Sequence, residues 1–506
     1  MVLLFALAKM AGVGAMFAAI KGITWFLPQV AGAEDFKTLH EVTKNMHQTI
    51  SGVNTVWVLV TAFLVFFMQA GFMGLEIGFA RSKETVNVLM ECVFDTCLCG
   101  ILYWAFGFAF QFGAGNAFIG HTYFFLRGIP AVYNYGGVAG GLSYNTGVSF
   151  LAFFLFQFAF ADTASTVTSG AMIGRTSFKG DILYSTMVSG FFYPIFGHWA
   201  WGPGGWLQNL HTSAFSFIHE GIFFRDFAGS TVVHTVGGVI ALMGAIVLGP
   251  RLGRKFKKDG GGPTPPSDLT WGAIGGVILW FGWYGFNPGS TLAAVPDFGA
   301  IGRVAANTTL AAAAAGLVAV FFVYPRSKKW DLGMSVNGFL GGLVAITAPC
   351  YFVSPGYAVL IGAIAGIVVP LFVDFMEWLK IDDPIGAVAV HMAAGIWGTL
   401  SIGLFAHGYG AEGLFTGGGT NQLLAQIIGS GACLVCVGGA AYIVFRIIAL
   451  LPGSWNLRLE EELELEGIDI TEHGTPAYHV EFGQGMTYTT PSGLPPRTPV
   501  TTSSES

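Results

Sequence analysis

The chain has 506 residues, 53% hydrophobic and 10% charged, with a formal net charge of −6. Soluble domains carry roughly 25% charged residues, so this composition excludes a string of soluble domains, and the acidic balance gives no footprint for nucleic acid. The 73 glycines sit inside the apolar runs, where small residues let membrane helices approach closely. The six cysteines, Cys92, Cys97, Cys99, Cys350, Cys433 and Cys436, also fall in apolar runs. They read as small buried residues, neither a disulfide framework nor a zinc site.

Residues 1–33 read as a signal peptide: Lys9 precedes broken apolar runs, and Ala31-Gly32-Ala33 suits cleavage before Glu34. Lys21 interrupts the apolar stretch, which weighs against a retained helix. A spanning helix needs ~20 mostly apolar residues, because in hydrocarbon the backbone must satisfy its own hydrogen bonds. Such runs predict eleven transmembrane helices, at 54–79, 86–112, 148–173, 181–201, 229–250, 270–286, 302–324, 333–352, 356–376, 385–407 and 421–448.

Connections carrying Arg81, Lys83, Arg175, Lys179, Arg251, Arg254, Arg326 and Lys380 alternate with connections carrying Arg127, Arg225 and Arg303. The basic set is expected in the cytoplasm. A multi-pass protein of the plasma or inner membrane follows, with its mature N-terminus outside and its C-terminus inside. Helices one to five then run opposite in sense to helices six to ten. That is the arrangement of a 5+5 inverted repeat with a last helix added, in an all-α integral membrane fold. The expected divisions are a membrane domain at 34–450, a cytoplasmic regulatory tail at 451–480 and a disordered C-terminus at 481–506.

Polar residues inside the apolar runs mark the site. A histidine in a membrane helix is a functional hypothesis by default, although His234 or His391 taken alone could simply bond a backbone carbonyl. Their matched places in helices five and ten favour a shared site, and two touching imidazoles can relay a proton without a fixed charge. Asp226 opens the fifth helix as a favoured N-cap; at an outer end the same carboxylate would also attract cations. Trp199, Trp201 and Trp206 crowd that end. They suit an interfacial belt, or an aromatic surface that holds a cation by its π-faces.

Several stretches together resemble the ammonium transporter/Rh family. They are Asp226 to His234 with Gly238 beyond, Trp283-Tyr284-Gly285-Phe286-Asn287-Pro288-Gly289-Ser290, Asp382-Asp383-Pro384 before His391, and Phe156-Gln157-Phe158-Ala159-Phe160. Leu457-Arg458, Glu466-Gly467-Ile468-Asp469, His473-Gly474 and Ala477-Tyr478 resemble that family's cytoplasmic tail. The likeness covers roughly residues 50 to 480, and Asp95 with Gly249-Pro250-Arg251-Leu252-Gly253-Arg254 leans toward the plant and cyanobacterial branch.

The resemblance implies an ammonium transporter or channel, not an enzyme, without a cofactor or metal. It implies an outer ammonium site of Trp201, Ser290 and Phe160, a gate of Phe160 stacked on Phe286, and a pore lined by His234, His391 and Trp283. A homotrimer with one pore per subunit follows, in the lipid bilayer, with a regulatory tail that a PII-type signal protein could bind. An ammonium sensor with little flux is the alternative, and a haem bundle using the two histidines a remote third.

Four residues depart from the family pattern: Asp162, Gly174 where Glu is common, Glu84 where Asn is common, and Met392 after His391. Asp162 lies two residues from Phe160 and is expected to face away from the pore. Glu84 is read as a glutamate relocated from position 174, and Met392 as added bulk near the pore.

Overall fold

The computed structural model describes residues 39–133, 147–296 and 298–478, with side chains from Asn45 onward. The expected signal peptide at 1–33 and C-terminal stretch at 481–506 lie outside the described residues. Contacts divide the chain into residues 1–52, of which the start of one helix is described, and residues 53–506, which hold every other element.

In chain order the helices are α1 Leu39–Phe79, α2 Thr85–Phe112, α3 Phe150–Ser169, α4 at 178–201 and α5 Ser230–Leu248. Next come α6 Leu269–Gly289, α7 Phe298–Ser327, α8 Leu332–Thr347 and α9 Pro355–Leu379. The last long rods are α10 Val388–Phe405 and α11 Asn421–Ile448, followed by the short tail helices α12 Glu461–Glu466 and α13 Ile468–His473. Helix therefore covers each of the eleven apolar stretches.

Among the described residues, eight of these rods are long and apolar enough to cross a membrane: α1, α2, α3, α5, α7, α9, α10 and α11. α8 is apolar but short. α4 carries Lys179, Asp181 and His198, which dilute its apolar character.

Side chains set the helix starts at the Lys/Arg-rich end. Asp268 accepts from the Thr270 amide at 3.0 Å to open α6, and Asp331 from the Met334 amide at 2.9 Å to open α8. Ser177 accepts from the Gly180 amide at 3.0 Å to open α4. Each bond satisfies a donor that the helix itself leaves free.

Small residues bring α1 and α6 together backbone to backbone. A Cβ on Gly74 would lie 3.2 Å from Gly275 Cα, and one on Gly78 would collide with Gly272. The pairing runs from Gly78 beside Gly272 to Thr61 beside Gly289, so the two helices are antiparallel. Any side chain larger than glycine at Gly78 would wedge them apart, an overpacking cost of ~1–3 kcal/mol.

One expectation about burial fails. Cys97 and Cys436 are exposed, whereas the other four cysteines are buried. An apolar run in a membrane helix has a face turned to lipid, so an apolar neighbourhood in sequence does not bury every small residue within protein.

Candidate functional site

α5 and α10 enter the bundle through the same local device. Asp226 Oδ1 accepts from the Gly229 and Ser230 amides at 2.8 and 3.0 Å, and Oδ2 from Thr231 and Val232 at 2.8 and 2.9 Å. Asp383 takes the amides of Gly386, Ala387 and Val388 at 3.1, 2.9 and 2.9 Å. Gly229 and Gly386 both hold positive φ, 116° and 79°, a region that glycine enters without a Cβ penalty. Each helix then begins with a π-turn, Ser230–Thr235 or Val388–Ala393, and each π-turn contains one of the two histidines. Wide turns of this kind recur at functional sites.

The two imidazoles meet. His391 Nδ1 lies 3.3 Å from His234 Nδ1, with His234 fully buried and His391 7% exposed. One ring must donate and the other accept for that contact to be a hydrogen bond. His234 Nε2 is buried without a protein partner. The His234 ring packs against both Trp283 at 5.1 Å and Phe286 at 5.3 Å, stacked at 23° on each, and those two rings also touch at 5.7 Å. The Trp283 indole is fixed in turn by donating to Thr347 Oγ1 at 2.9 Å.

Phe286 leads from the histidines toward the opposite end from the Lys/Arg-rich loops. Its ring stacks on Phe160 at 4.0 Å and 22°. Beyond this pair lies a small, partly open cavity lined by Phe156, Gln157, Phe160, Trp201, Phe227, Ser290 and Leu292. Trp201 meets Phe160 edge-on at 6.3 Å, and its indole N–H donates to the Asp226 carbonyl at 2.8 Å. Ser290 caps α6, and its hydroxyl donates to the Phe286 carbonyl at 2.8 Å, which leaves its oxygen free to accept. All three residues expected at the outer site therefore line one cavity, and both expected gate residues touch.

Gln157, Phe156, Phe227 and Leu292 line the same cavity but have no role in the sequence reading. Gln157 was the findable one: it is a lone amide in a run of aromatics, and its Oε1 is buried without a partner. Asp226 is 2% exposed and its oxygens are filled by four amides. Its carboxylate caps α5, as one of the two expected roles requires, and its carbonyl positions Trp201.

The departures from the family pattern also find places. Glu84 is buried and pairs with Arg81, and a Cβ on Gly174 would strike the Glu84 carboxylate. The glutamate thus fills the space in front of residue 174 from the neighbouring helix. Asp162 is fully buried beside Thr96 Oγ1 at 3.3 Å, on the α2 side of α3. Met392 packs on α5, where a Cβ on Gly238 would lie 2.9 Å from Met392 Cβ.

The sequence model of the Ammonium Transporter Family matches residues 56–478. Ammonium transporter Amt2 of Archaeoglobus fulgidus is 40% identical over 437 residues, 84% of this chain and 88% of that protein. Ammonium transporter 1 member 3 of Solanum lycopersicum is 36% identical over 451 residues, 84% of this chain and 93% of its own length. A solved structure named "Sensor Amt Protein" superposes with a TM-score of 0.74 at 35% identity, covering 84% of this chain and 99% of that one. With a family match over most of its length and relatives at this identity, the chain is a multi-pass, all-α membrane protein that belongs to the Ammonium Transporter Family.

Proposed function

We propose that this chain transports ammonium, selecting it at the aromatic cavity, removing a proton there and passing the neutral molecule along an apolar path beside a proton-relaying histidine pair. The observation that carries this reading is the 3.3 Å contact between His234 and His391 directly beneath the stacked Phe160–Phe286 pair. In this reading Trp201, Ser290 and Phe160 hold ammonium, Phe160 and Phe286 form the gate, and Trp283 flanks the pore.

The physics is ion rejection. A bare cation in a narrow apolar pore costs several kcal/mol or more, which stops Na⁺ and K⁺ at the vestibule. Ammonium can give up a proton and cross as a neutral molecule. It differs from K⁺ in donating hydrogen bonds, which the Ser290 hydroxyl oxygen and the unpaired Gln157 Oε1 can accept. Cation–π attraction to Trp201 adds to the selection. His234 Nε2, buried and unpaired, is where the neutral molecule would meet the relay.

Eleven crossings, arranged as a 5+5 inverted repeat plus α11, belong to this reading. The shared Asp–Gly–His device in α5 and α10 supports the repeat, as does the antiparallel run of α1 against α6. The Lys/Arg-rich end is cytoplasmic, the chain is a homotrimer with one pore per subunit, and the tail regulates conduction, with a PII-type signal protein as its partner. The tail's contacts favour a regulatory dock: Arg458 donates to the Leu248 and Pro250 carbonyls at 2.6 and 3.0 Å, and Glu464 Oε1 accepts the Leu252 amide at 2.6 Å.

Ammonium-evoked current from purified protein in liposomes tests the reading. Current should appear with ammonium and not with K⁺. The likeness to a sensor protein of the same family supports a second reading, in which the cavity reports ammonium through the tail. Tight ammonium binding in protein that passes no current would favour it.

A further inference from the structure

One turn beyond each histidine, on the same face of its helix, stands a glycine: Gly238 follows His234 by four residues and Gly395 follows His391 by four. Both lie where α5 crosses α10. A Cβ on Gly238 would lie 2.5, 2.9 and 3.0 Å from the N, Cβ and Cα of Met392, the residue after His391. A Cβ on Gly395 would strike the Ser230 carbonyl and lie 2.5 Å from Oγ1 of Thr235, the residue after His234. Each glycine therefore receives the residue that follows the other half's histidine.

The atoms in front of the two glycines have little room to retreat. Those facing Gly238 include the backbone N and Cα of Met392, which cannot rotate away as the end of a long side chain could. Ser230, whose carbonyl faces Gly395, is pinned to α8: its hydroxyl donates to the Val344 carbonyl and accepts the Ala348 amide, both at 2.7 Å. Thr235 Oγ1 donates to that same Ser230 carbonyl at 2.8 Å. On the far side of the histidines the crossing is fastened again. Thr231, one turn before His234, shares a 2.6 Å hydrogen bond with Thr399, two turns beyond His391. The two helices thus run antiparallel through a close contact at the histidines, of the kind that small residues allow between membrane helices.

We infer that Gly238 and Gly395 are positioning residues for the histidine pair: they set the separation of α5 and α10 at which the two imidazoles touch. Magnitudes decide the point. Non-bonded carbon atoms rest about 3.5–4.0 Å apart, so a methyl group at either position would part the helices by ~1 Å. The contact between His234 and His391 is 3.3 Å. That is already at the long end of hydrogen-bonding range, and a further ~1 Å ends it.

The test is solid-state NMR of the full-length protein in liposomes, labelled with nitrogen-15 histidine and read at the ring-to-ring cross-peak between the two Nδ1 atoms. His234→Ala and His391→Ala identify that cross-peak by removing it. Gly238→Ala and Gly395→Ala should each abolish it, and each should cut ammonium-evoked current about tenfold or more, as a misplacement of ~1 Å does at a site that depends on geometry. Gly78→Ala is the control. It wedges α1 from α6 just as severely, at a crossing that carries no histidine. It should lower thermal stability and keep both the cross-peak and the current.

A cross-peak retained in either glycine variant overturns the role of that glycine, and no cross-peak in the wild type overturns the inference outright. Loss of the cross-peak in Gly78→Ala overturns it too, because any parting of helices would then suffice. If one glycine variant fails to assemble, the other decides. If both fail while Gly78→Ala assembles, the glycines are determinants of the fold rather than of the pair. The effect on current rests on the transport reading, but the cross-peak does not. Absence of current in the wild type would sink that reading alone and leave the spectrum to decide this one.

Discussion

The nine residues from Asp226 to His234 and the nine from Asp383 to His391 share a backbone device but not a setting. In both, an aspartate collects the first amides, a glycine at positive φ turns the chain, and a π-turn presents the histidine. Around Asp226 the structure is aromatic: its carbonyl holds the Trp201 indole at the wall of the cavity. Around Asp383 it is ionic. The adjacent Asp382 accepts from Arg251 Nε and Nη2 at 2.8 and 3.0 Å and from Arg254 at 3.3 Å, and its carbonyl accepts from Arg175 at 2.7 Å. A repeated device sets the histidines, and each end then specialises: one carries the aromatic wall of a cavity and the other fastens loops together.

The largest effect should come from breaking the pair itself. His234→Ala and His391→Ala should each reduce ammonium-evoked current to background while assembly is kept, and the double variant should lose little more. Groups acting as a unit are not additive. Wild-type current in either single variant would mean that the two halves carry independent histidines, and the relay would be wrong.

Next in size is the ionic end, read as stability. Burial would raise Asp382, but the hydrogen bonds from Arg251 and the charges of Arg175 and Arg251 outweigh it and hold the carboxyl well below the usual range. A depressed carboxylate stabilises the fold above its ordinary titration range, and that stabilisation is lost as pH falls through the folded value. Asp382→Ala leaves Arg251 buried without its partner, at a cost of ~3–5 kcal/mol. Asp383→Ala removes only a cap, at ~1–2 kcal/mol. Thermal unfolding of purified protein near neutral pH should rank them in that order, and the gap should close on acidification. Equal losses at both pH values would show that the lattice around Asp382 contributes no more than the cap beside it.

What could be read from the sequence followed from chemistry that stands out against apolar runs. His234 and His391 are such residues, and Phe160, Phe286, Trp201 and Ser290 came with the motifs of the resembling family. The repeated device was written in the sequence, since Asp, Gly, Val and His match at four of nine positions. Four identities are too few to stand out in a chain this long, and it took the shared amide bonds and π-turns to give them weight. The Glu84 and Gly174 departures made physical sense together, because the Glu84 carboxylate occupies the space that a side chain at residue 174 would enter.

The smallest expected effect sharpens the aromatic end of the comparison. Trp201→Phe keeps a ring at the cavity wall but removes the indole N–H that donates to the Asp226 carbonyl. The lost hydrogen bond lies within the protein and costs the fold ~1 kcal/mol, whereas the weaker cation–π surface costs ammonium binding about 0.5–1 kcal/mol. The ammonium concentration dependence of the current should therefore weaken by about two- to fivefold, since 1.4 kcal/mol is a factor of ten. The maximal current should change less, because the Phe160–Phe286 stack and the histidine pair are untouched. Thermal stability should fall only slightly, as Asp226 keeps all four of its amide bonds and the cap on α5 stays closed. An unchanged concentration dependence would mean that ammonium is held elsewhere in the cavity, with Ser290 and Gln157 as the remaining acceptors. A collapse of maximal current with unchanged affinity would instead make Trp201 a positioning residue for α5, acting through the Asp226 backbone on His234.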